Sequence, residues 1–222
     1  MNEETIQFSL IQTILLWAIP LLFAITIHEA SHGYMANKLG DPTAKMLGRL
    51  TLNPFKHIDI FGTIILPILT LWLGGFVFGW AKPVPITWRN LKKLRRDIAL
   101  VAVVGPLSNL VMALIWALIM KGGQYLDTQN VVYGIALTTM GKIGIQVNCI
   151  LCVLNLLPIQ PLDGGRVVSS LLPGKASYYF DRLEPYGIFI LLLLMATKIL
   201  SMILIPPVYF LINIIYSLFG LQ

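Results

Sequence analysis

The stretch Leu10–His32, LIQTILLWAIPLLFAITIHEASH, governs how the rest of the chain is read. From Leu10 to Ile27 it is almost wholly apolar, and roughly 20 apolar residues in a helix cross the hydrocarbon core of a bilayer. The run then ends in His28-Glu29-Ala30-Ser31-His32. Ionisable groups at membrane depth are costly unless paired or used, so they are functional candidates from the start. Helical residues at i and i+4 lie on one face, one turn apart. Two imidazoles so placed can bind one tetrahedral zinc ion through their ring nitrogens. Glu29 lies beside them, near enough to take a proton from zinc-bound water. The plainer reading is a polar helix end at headgroup level.

The helix is expected to run from Leu10 to about Lys38, with Gly40 as its stop and Pro42 preventing continuation. Pro20 is tolerable inside a membrane helix. Further apolar runs cover Ile98–Met120 and Gly187–Phe219. The 222-residue chain is 57% hydrophobic and 12% charged, about half the charge of an ordinary soluble domain. It therefore reads as a single membrane-embedded unit over residues 1–222. The segment Met1–Ser9 is polar and acidic, with Glu3 and Glu4 and without a basic n-region, so the first apolar run is expected to be a retained span. The net charge of +6 sits in loops and reads as an orientation signal. Nothing interleaves aromatic and basic residues in a nucleic-acid pattern, so no nucleic-acid partner is expected. Cys149 and Cys152 fall inside an apolar helical run and read as small buried residues.

Between the spans the pattern is more broken. Thr43–Pro54 mixes polar and apolar residues and has room for a short extended strand. The apolar stretch Ile60–Trp80 is interrupted by Pro67 and Gly74-Gly75. Ala81–Ile86, AKPVPI, is extended because Pro83 and Pro85 exclude a helix. A second helix is expected over Ile98–Lys121, a polar loop over Gly122–Asn130, and a third helix from Val131 to about Leu156. A Pro/Gly-rich turn spans Pro158–Gly165, and an amphipathic piece follows from Arg166 to Pro185. The last apolar run is interrupted by Lys198 and by Pro206-Pro207. As one straight helix it would be roughly 50 Å long, too long for an upright crossing. Basic residues crowd the segments Lys38–Lys56 and Lys82–Arg96 and recur at Arg166, Lys175 and Arg182. They share one side of the membrane if Ile60–Trp80 enters and returns, a path that needs protein cover for its broken backbone.

Zinc requires a third protein ligand and an open position for water. The remaining histidine is His57, and the carboxylates are Glu3, Glu4, Asp41, Asp59, Asp97, Asp127, Asp163, Asp181 and Glu184. Most fall in hydrophilic segments, where a solvated carboxylate is the simplest reading. Asp163 differs, since it ends NLLPIQPLDGG, Asn155–Gly165, just beyond an apolar helix. Its prolines and paired glycines force non-helical backbone, which survives at membrane depth only against protein or a watery cavity. His57 and Asp59 are the backup ligands. In GPLSN, Gly105–Asn109, the glycine allows close helix approach. Asn109 needs a hydrogen-bond partner in lipid, as an interhelical contact or as a substrate contact. Asn155 poses the same choice, tilted towards substrate or oxyanion by its nearness to Asp163.

These three motifs, HEASH, GPLSN and NLLPIQPLDGG, resemble the site-2 protease family of intramembrane zinc metalloproteases in order and spacing. The resemblance covers roughly residues 10–185 and is closest to a short, minimal branch that lacks a PDZ-like insert. It implies an all-α polytopic membrane protein. That fold has a three-helix catalytic core, a small membrane-associated extended or β element, and a C-terminal helical region over about 186–222. It implies one zinc ion per chain held by His28, His32 and Asp163, with Glu29 as catalytic base. It further implies that Asn109 and Asn155 shape the site or hold substrate. The expected partners are a transmembrane protein or peptide substrate and the lipid bilayer, with self-association left open. The expected location is the cell membrane, with the site towards the cytoplasm. A membrane metal transporter or a non-proteolytic metal-binding membrane protein is the rival reading, since transporters also break helices around ions. Unwound substrate is expected to pair as an added strand near Leu47–Leu52 and Ala81–Ile86.

Overall fold

The computed structural model describes residues 8–65, 69–70, 79, 81–129, 131 and 133–221. Helix α1 spans Leu10–Leu39. Ser9 and Gln12 form a reciprocal capping box at its start, and Gly40 ends it in the left-handed region at φ 118°. A single helical turn, α2, covers Thr43–Met46. Helix α3 runs over Leu94–Thr128 and α4 over Gly134–Asn155. Two short helices follow, α5 at Asp163–Leu171 and α6 at Gly174–Asp181. Helix α7 covers Gly187–Ala196 and α8 covers Ile199–Phe219. Four of these, α1, α3, α4 and α8, are long and apolar enough to cross a membrane. The chain is an all-α polytopic membrane protein, and no strand occurs among the described residues.

Close helix approach explains the positions of several glycines. A Cβ on Gly141 would stand 2.6 Å from the Met120 backbone nitrogen, and one on Gly123 would meet the Thr138 backbone. A Cβ on Gly144 would collide with the Trp116 indole. The α3–α4 pair is therefore an antiparallel hairpin whose backbones nearly touch. This corrects the loop expected over Gly122–Asn130. Gly123 is a packing glycine, so α3 continues to Thr128. At its other end α3 starts earlier than Ile98, because Asp97 accepts the Lys93 N–H at 2.8 Å and caps the helix.

The apolar core lies where α3, α4 and α8 meet. Met112, Ala113, Trp116, Ala117 and Met120 of α3 pack with Ile145, Cys149 and Val153 of α4 and with Val208 and Ile215 of α8. Cys149 and Cys152 are free and buried, as the sequence implies. The last apolar run breaks once, at Lys198 with φ 62°, whereas Pro206 and Pro207 remain inside α8. Ten residues of α7 reach only about 15 Å, so α8 is the crossing helix.

Around the site the connections are short. Thr43–Met46 is helical where an extended strand was expected. Ala81–Thr87 is extended but pairs into no ladder. Ile60–Ile65 forms a wide, π-type helical turn. The entering-and-returning path expected of Ile60–Trp80 falls largely outside the described residues. Asp41 and Asp97, expected to be solvated, are wholly buried. Burial works to raise the Asp41 pKa, but donors from Thr43, Asn90 and the Thr87 backbone outweigh it and hold the carboxyl below its ordinary value. Its ionised form thus adds stability that persists above the ordinary carboxylate range and is lost as pH falls through the lowered pKa.

Gly141→Leu should force α3 and α4 apart. Overpacking of this kind costs about 1–3 kcal/mol, and thermal unfolding in detergent should show a lowered midpoint.

Candidate functional site

His28 and His32 lie one turn apart on α1, both buried, with their Nε2 atoms 3.0 Å apart. Asp163, at the first turn of α5, places Oδ2 3.2 Å from His28 Nε2 and 3.3 Å from His32 Nε2. Elements from both ends of the fold therefore meet at one point.

Hydrogen bonding fixes the chemistry of that point. His32 Nδ1 lies 2.7 Å from the Val101 carbonyl oxygen, which can only accept, so Nδ1 carries the proton. His28 Nδ1 lies 2.6 Å from Asn109 Oδ1. The Asn109 amide orientation is set in turn, because its Nδ2 donates to the Ala24 carbonyl at 3.2 Å and to Asn148 Oδ1 at 3.1 Å. Asn148 Nδ2 donates to the Gly144 carbonyl at 2.8 Å, which fixes that amide as well. With Nδ1 carrying the proton, each imidazole in its neutral form presents an unprotonated Nε2 to the centre. Asp163 Oδ2 is buried and receives no hydrogen bond. In that form three lone-pair donors face one another, an arrangement that a divalent cation satisfies. Two histidine nitrogens and one carboxylate form a catalytic-type zinc set with one position left for water. Among the described residues, His28, His32 and Asp163 form a group able to hold a metal ion.

Neighbouring residues make room for it. A Cβ on Gly105 would overlap both imidazole rings, so GPLSN supplies an open face of α3 exactly opposite the histidine pair. Gly164 and Gly165 lie against the carbonyls of Leu156, Leu157 and Ile159, which lets the Pro158–Leu162 turn fold tightly and present Asp163. Glu29 Oε2 accepts the Val84 N–H at 2.7 Å. A cleft of about 310 Å³ is lined by His28, Glu29, His32, Val84, Asn155 and Asp163 among others. Arg166 at its rim sits 5.1 Å over the Trp88 ring and pairs with Glu184 at 3.1 Å, tying α5 to the loop after Thr87.

The sequence-based candidates separate here. His28, Glu29, His32, Asp163 and Asn155 all line the cleft. Asn155 Nδ2 donates to the Leu151 carbonyl of its own helix at 3.0 Å. Asn109 is wholly buried and both of its N–H groups are taken. The expectation of a substrate contact from Asn109 is corrected accordingly, and its place is behind His28. The backup ligands stand apart, since His57 Nε2 pairs with the Thr51 carbonyl and Asp59 caps Gly62. Three contributors escaped the sequence reading: the Val101 carbonyl, Asn148 and the Val84 N–H. Of these only Asn148 left a signal, an amide inside an apolar helix.

A family model for peptidase family M50 matches residues 16–196. A Bacillus subtilis protein named "Putative zinc metalloprotease YwhC" is 40% identical over 189 residues, which is 85% of this chain and 83% of that protein. A Mycolicibacterium smegmatis protein named Rip2, with the same description, is 29% identical over 181 residues, 81% of this chain and 66% of its own length. The Rip2 of Mycobacterium tuberculosis is 28% identical over 195 residues, 87% and 71% of the two chains. No solved structure gives a significant match.

Asn109→Ala should leave His28 without its orienting acceptor. Loss of such an outer partner weakens metal binding about 10–100-fold, which competition with a chromogenic chelator would measure.

Proposed function

The chain belongs to peptidase family M50, the site-2 protease family, and on that premise we propose that it is an intramembrane zinc endopeptidase cutting transmembrane segments of other proteins. The observation that carries the reading is the convergence of the His28 and His32 Nε2 atoms and Asp163 Oδ2, within 3.0–3.3 Å of one another beside Glu29. His28, His32 and Asp163 would hold the zinc. When bound, zinc lowers the pKa of a coordinated water towards about 7 and polarises the scissile carbonyl. Glu29 takes the proton of the attacking water and passes it to the leaving amine. Asn155, at the cleft wall, offers its second N–H to the substrate carbonyl as charge builds on the oxygen. Asn109 and the Val101 carbonyl keep the two imidazoles in their ligating tautomer.

A helical substrate hides its peptide bonds in its own i to i+4 hydrogen bonds, so in this reading it unwinds locally to be cut. Leu50 and Leu52 have no backbone hydrogen bonds among the described residues, and Leu50 lies with Val84 against Gly33. In this reading the Leu50–Leu52 edge pairs with unwound substrate. The catalytic unit takes in residues 10–185, with 186–222 as supporting helices. In this reading the site faces the cytoplasmic side of the cell membrane, which the basic residues of Lys82–Arg96 and Arg166 support.

Glu29→Gln should retain one zinc per chain and lose peptide cleavage by at least about a hundredfold, the lower range for a general base. Asp163→Ala should lose the zinc. Metal analysis beside a cleavage assay reads both. Metal transport undiminished in Glu29→Gln, in a protein that never cleaves, would establish the transporter instead. Leu50→Pro should lower cleavage without altering zinc content, and full activity in that variant would exclude strand pairing at this edge.

A further inference from the structure

Ala81–Thr87 is bonded more tightly than a connecting loop requires, and one of its bonds falls on Glu29. The sequence there is Ala-Lys-Pro-Val-Pro-Ile-Thr. Pro83 and Pro85 have no N–H, so between Lys82 and Ile86 the sole backbone donor is that of Val84. It donates to Glu29 Oε2 at 2.7 Å. No other hydrogen bond reaches Glu29 among the described residues, which leaves Oε1 free.

The strap itself is fixed at both ends. The Lys82 N–H donates to the His57 carbonyl at 2.9 Å. Arg49 Nη2 donates to the carbonyls of Lys82 and Pro83 at 3.1 and 3.3 Å. At the far end the Thr87 N–H donates to Asp41 Oδ2 at 2.7 Å. Asp41 Oδ1 receives Asn90 Nδ2 at 2.8 Å, the Thr43 N–H at 3.2 Å and the Thr43 hydroxyl. Val84 is buried against Gly33, where a Cβ would stand 2.9 Å from Val84 Cγ1. A side chain at 33 would press on Val84, so the glycine favours this close approach of the strap to α1.

We propose that the Val84 N–H sets the orientation of the Glu29 carboxylate, and that Asp41 is the positioning residue that holds this donor in place. For its activity arm the proposal rests on the endopeptidase reading. A glutamate side chain has three rotatable bonds, and rotation carries its oxygens away from the reacting atoms. A fixed N–H on one oxygen removes that freedom and leaves the other to move the proton. Asp41 reaches the carboxylate through Thr87, Ile86, Pro85 and Val84. The proline ring locks φ in that path, so a shift at Thr87 is passed to Val84 and not absorbed.

Residue-resolved amide exchange on the full chain in detergent reads the contact without catalysis. In the wild type, Val84 should exchange slowly. In Glu29→Ala it should exchange about tenfold faster or more, the loss expected for one bond to a charged acceptor, with Lys82 and Thr87 unchanged. Asp41→Asn should speed exchange at Thr87 and Val84 and keep one zinc per chain. It should lower kcat about 10–100-fold, the range for a small misplacement of a reacting group, with KM little changed. Asn90→Ala, which removes one donor from Asp41, should act in the same direction more weakly and serves where Asp41→Asn does not fold. The proposal is overturned if wild-type Val84 exchanges as fast as the unbonded Leu50. It is equally overturned if either variant frees Val84 at wild-type kcat, or if the fall in kcat tracks loss of zinc. A wild type that cleaves no peptide refutes the endopeptidase reading, while exchange at Val84 in Glu29→Ala still decides the contact.

Discussion

Three ligand atoms aimed at one point, two imidazole nitrogens and a carboxylate oxygen, form the constraint on which this structure depends. Two imidazole nitrogens and a carboxylate oxygen within 3.0–3.3 Å of one another repel unless a cation lies among them. The protein holds them there by controlling the far side of each ring. The Val101 carbonyl and Asn109 Oδ1 accept from the two Nδ1 atoms, so both protons are drawn away from the centre. In a low-dielectric interior, leaving either acceptor unpaired would be expensive. The tautomers are thus fixed by the bundle and not by the ligand.

That requirement spreads through the helices. Asn109 can face His28 only because its other bonds are satisfied by the Ala24 carbonyl and Asn148, and Asn148 is anchored on the Gly144 carbonyl. The polar chain crosses from α1 to α3 to α4, and it needs those helices close together. Glycines supply the closeness: Gly105 facing the imidazoles, Gly141 facing Met120, Gly144 facing Trp116. Packing and tautomer control are therefore one problem. A side chain that pushed α4 outwards would also loosen the amide that orients a ligand.

How much of this was legible in the sequence varied with the range of the interaction. The HEASH pair was legible because a helix dictates where i and i+4 fall. Asp163 was legible because Pro158 and Pro161 break the chain where an apolar run ends, although Gly164 and Gly165, read as part of that turn, lie inside α5. The ends of α3 were not, since Gly122-Gly123 reads as a stop unless the partner backbone at Leu137 and Thr138 is known to press on it. Asp41 and Asp97 read as solvated, because hydrophilic sequence does not reveal whether backbone N–H groups close around a carboxylate. The Val84 donor was hidden for the same reason. The prolines beside it announced extended chain but not the side chain it would meet.

The strap also changes what the extended segment can do. A strand that captures substrate must have unspent donors and acceptors. In Ala81–Thr87 the N–H groups of Lys82, Val84 and Thr87 are taken, those of Pro83 and Pro85 do not exist, and the Lys82 and Pro83 carbonyls bind Arg49. For an incoming chain there remain the Ile86 N–H and the carbonyls of Val84, Pro85 and Ile86, which no hydrogen bond reaches among the described residues, but the Val84 donor is spent. The backbone groups of Leu50 and Leu52 make no hydrogen bond among the described residues. On the proposed reading the two pieces that sequence made look equivalent differ in role, one holding the Glu29 carboxylate and the other open to substrate. Merging the roles would set substrate binding in competition with Glu29 for the same N–H, and tighter binding would then misplace the base it is meant to serve.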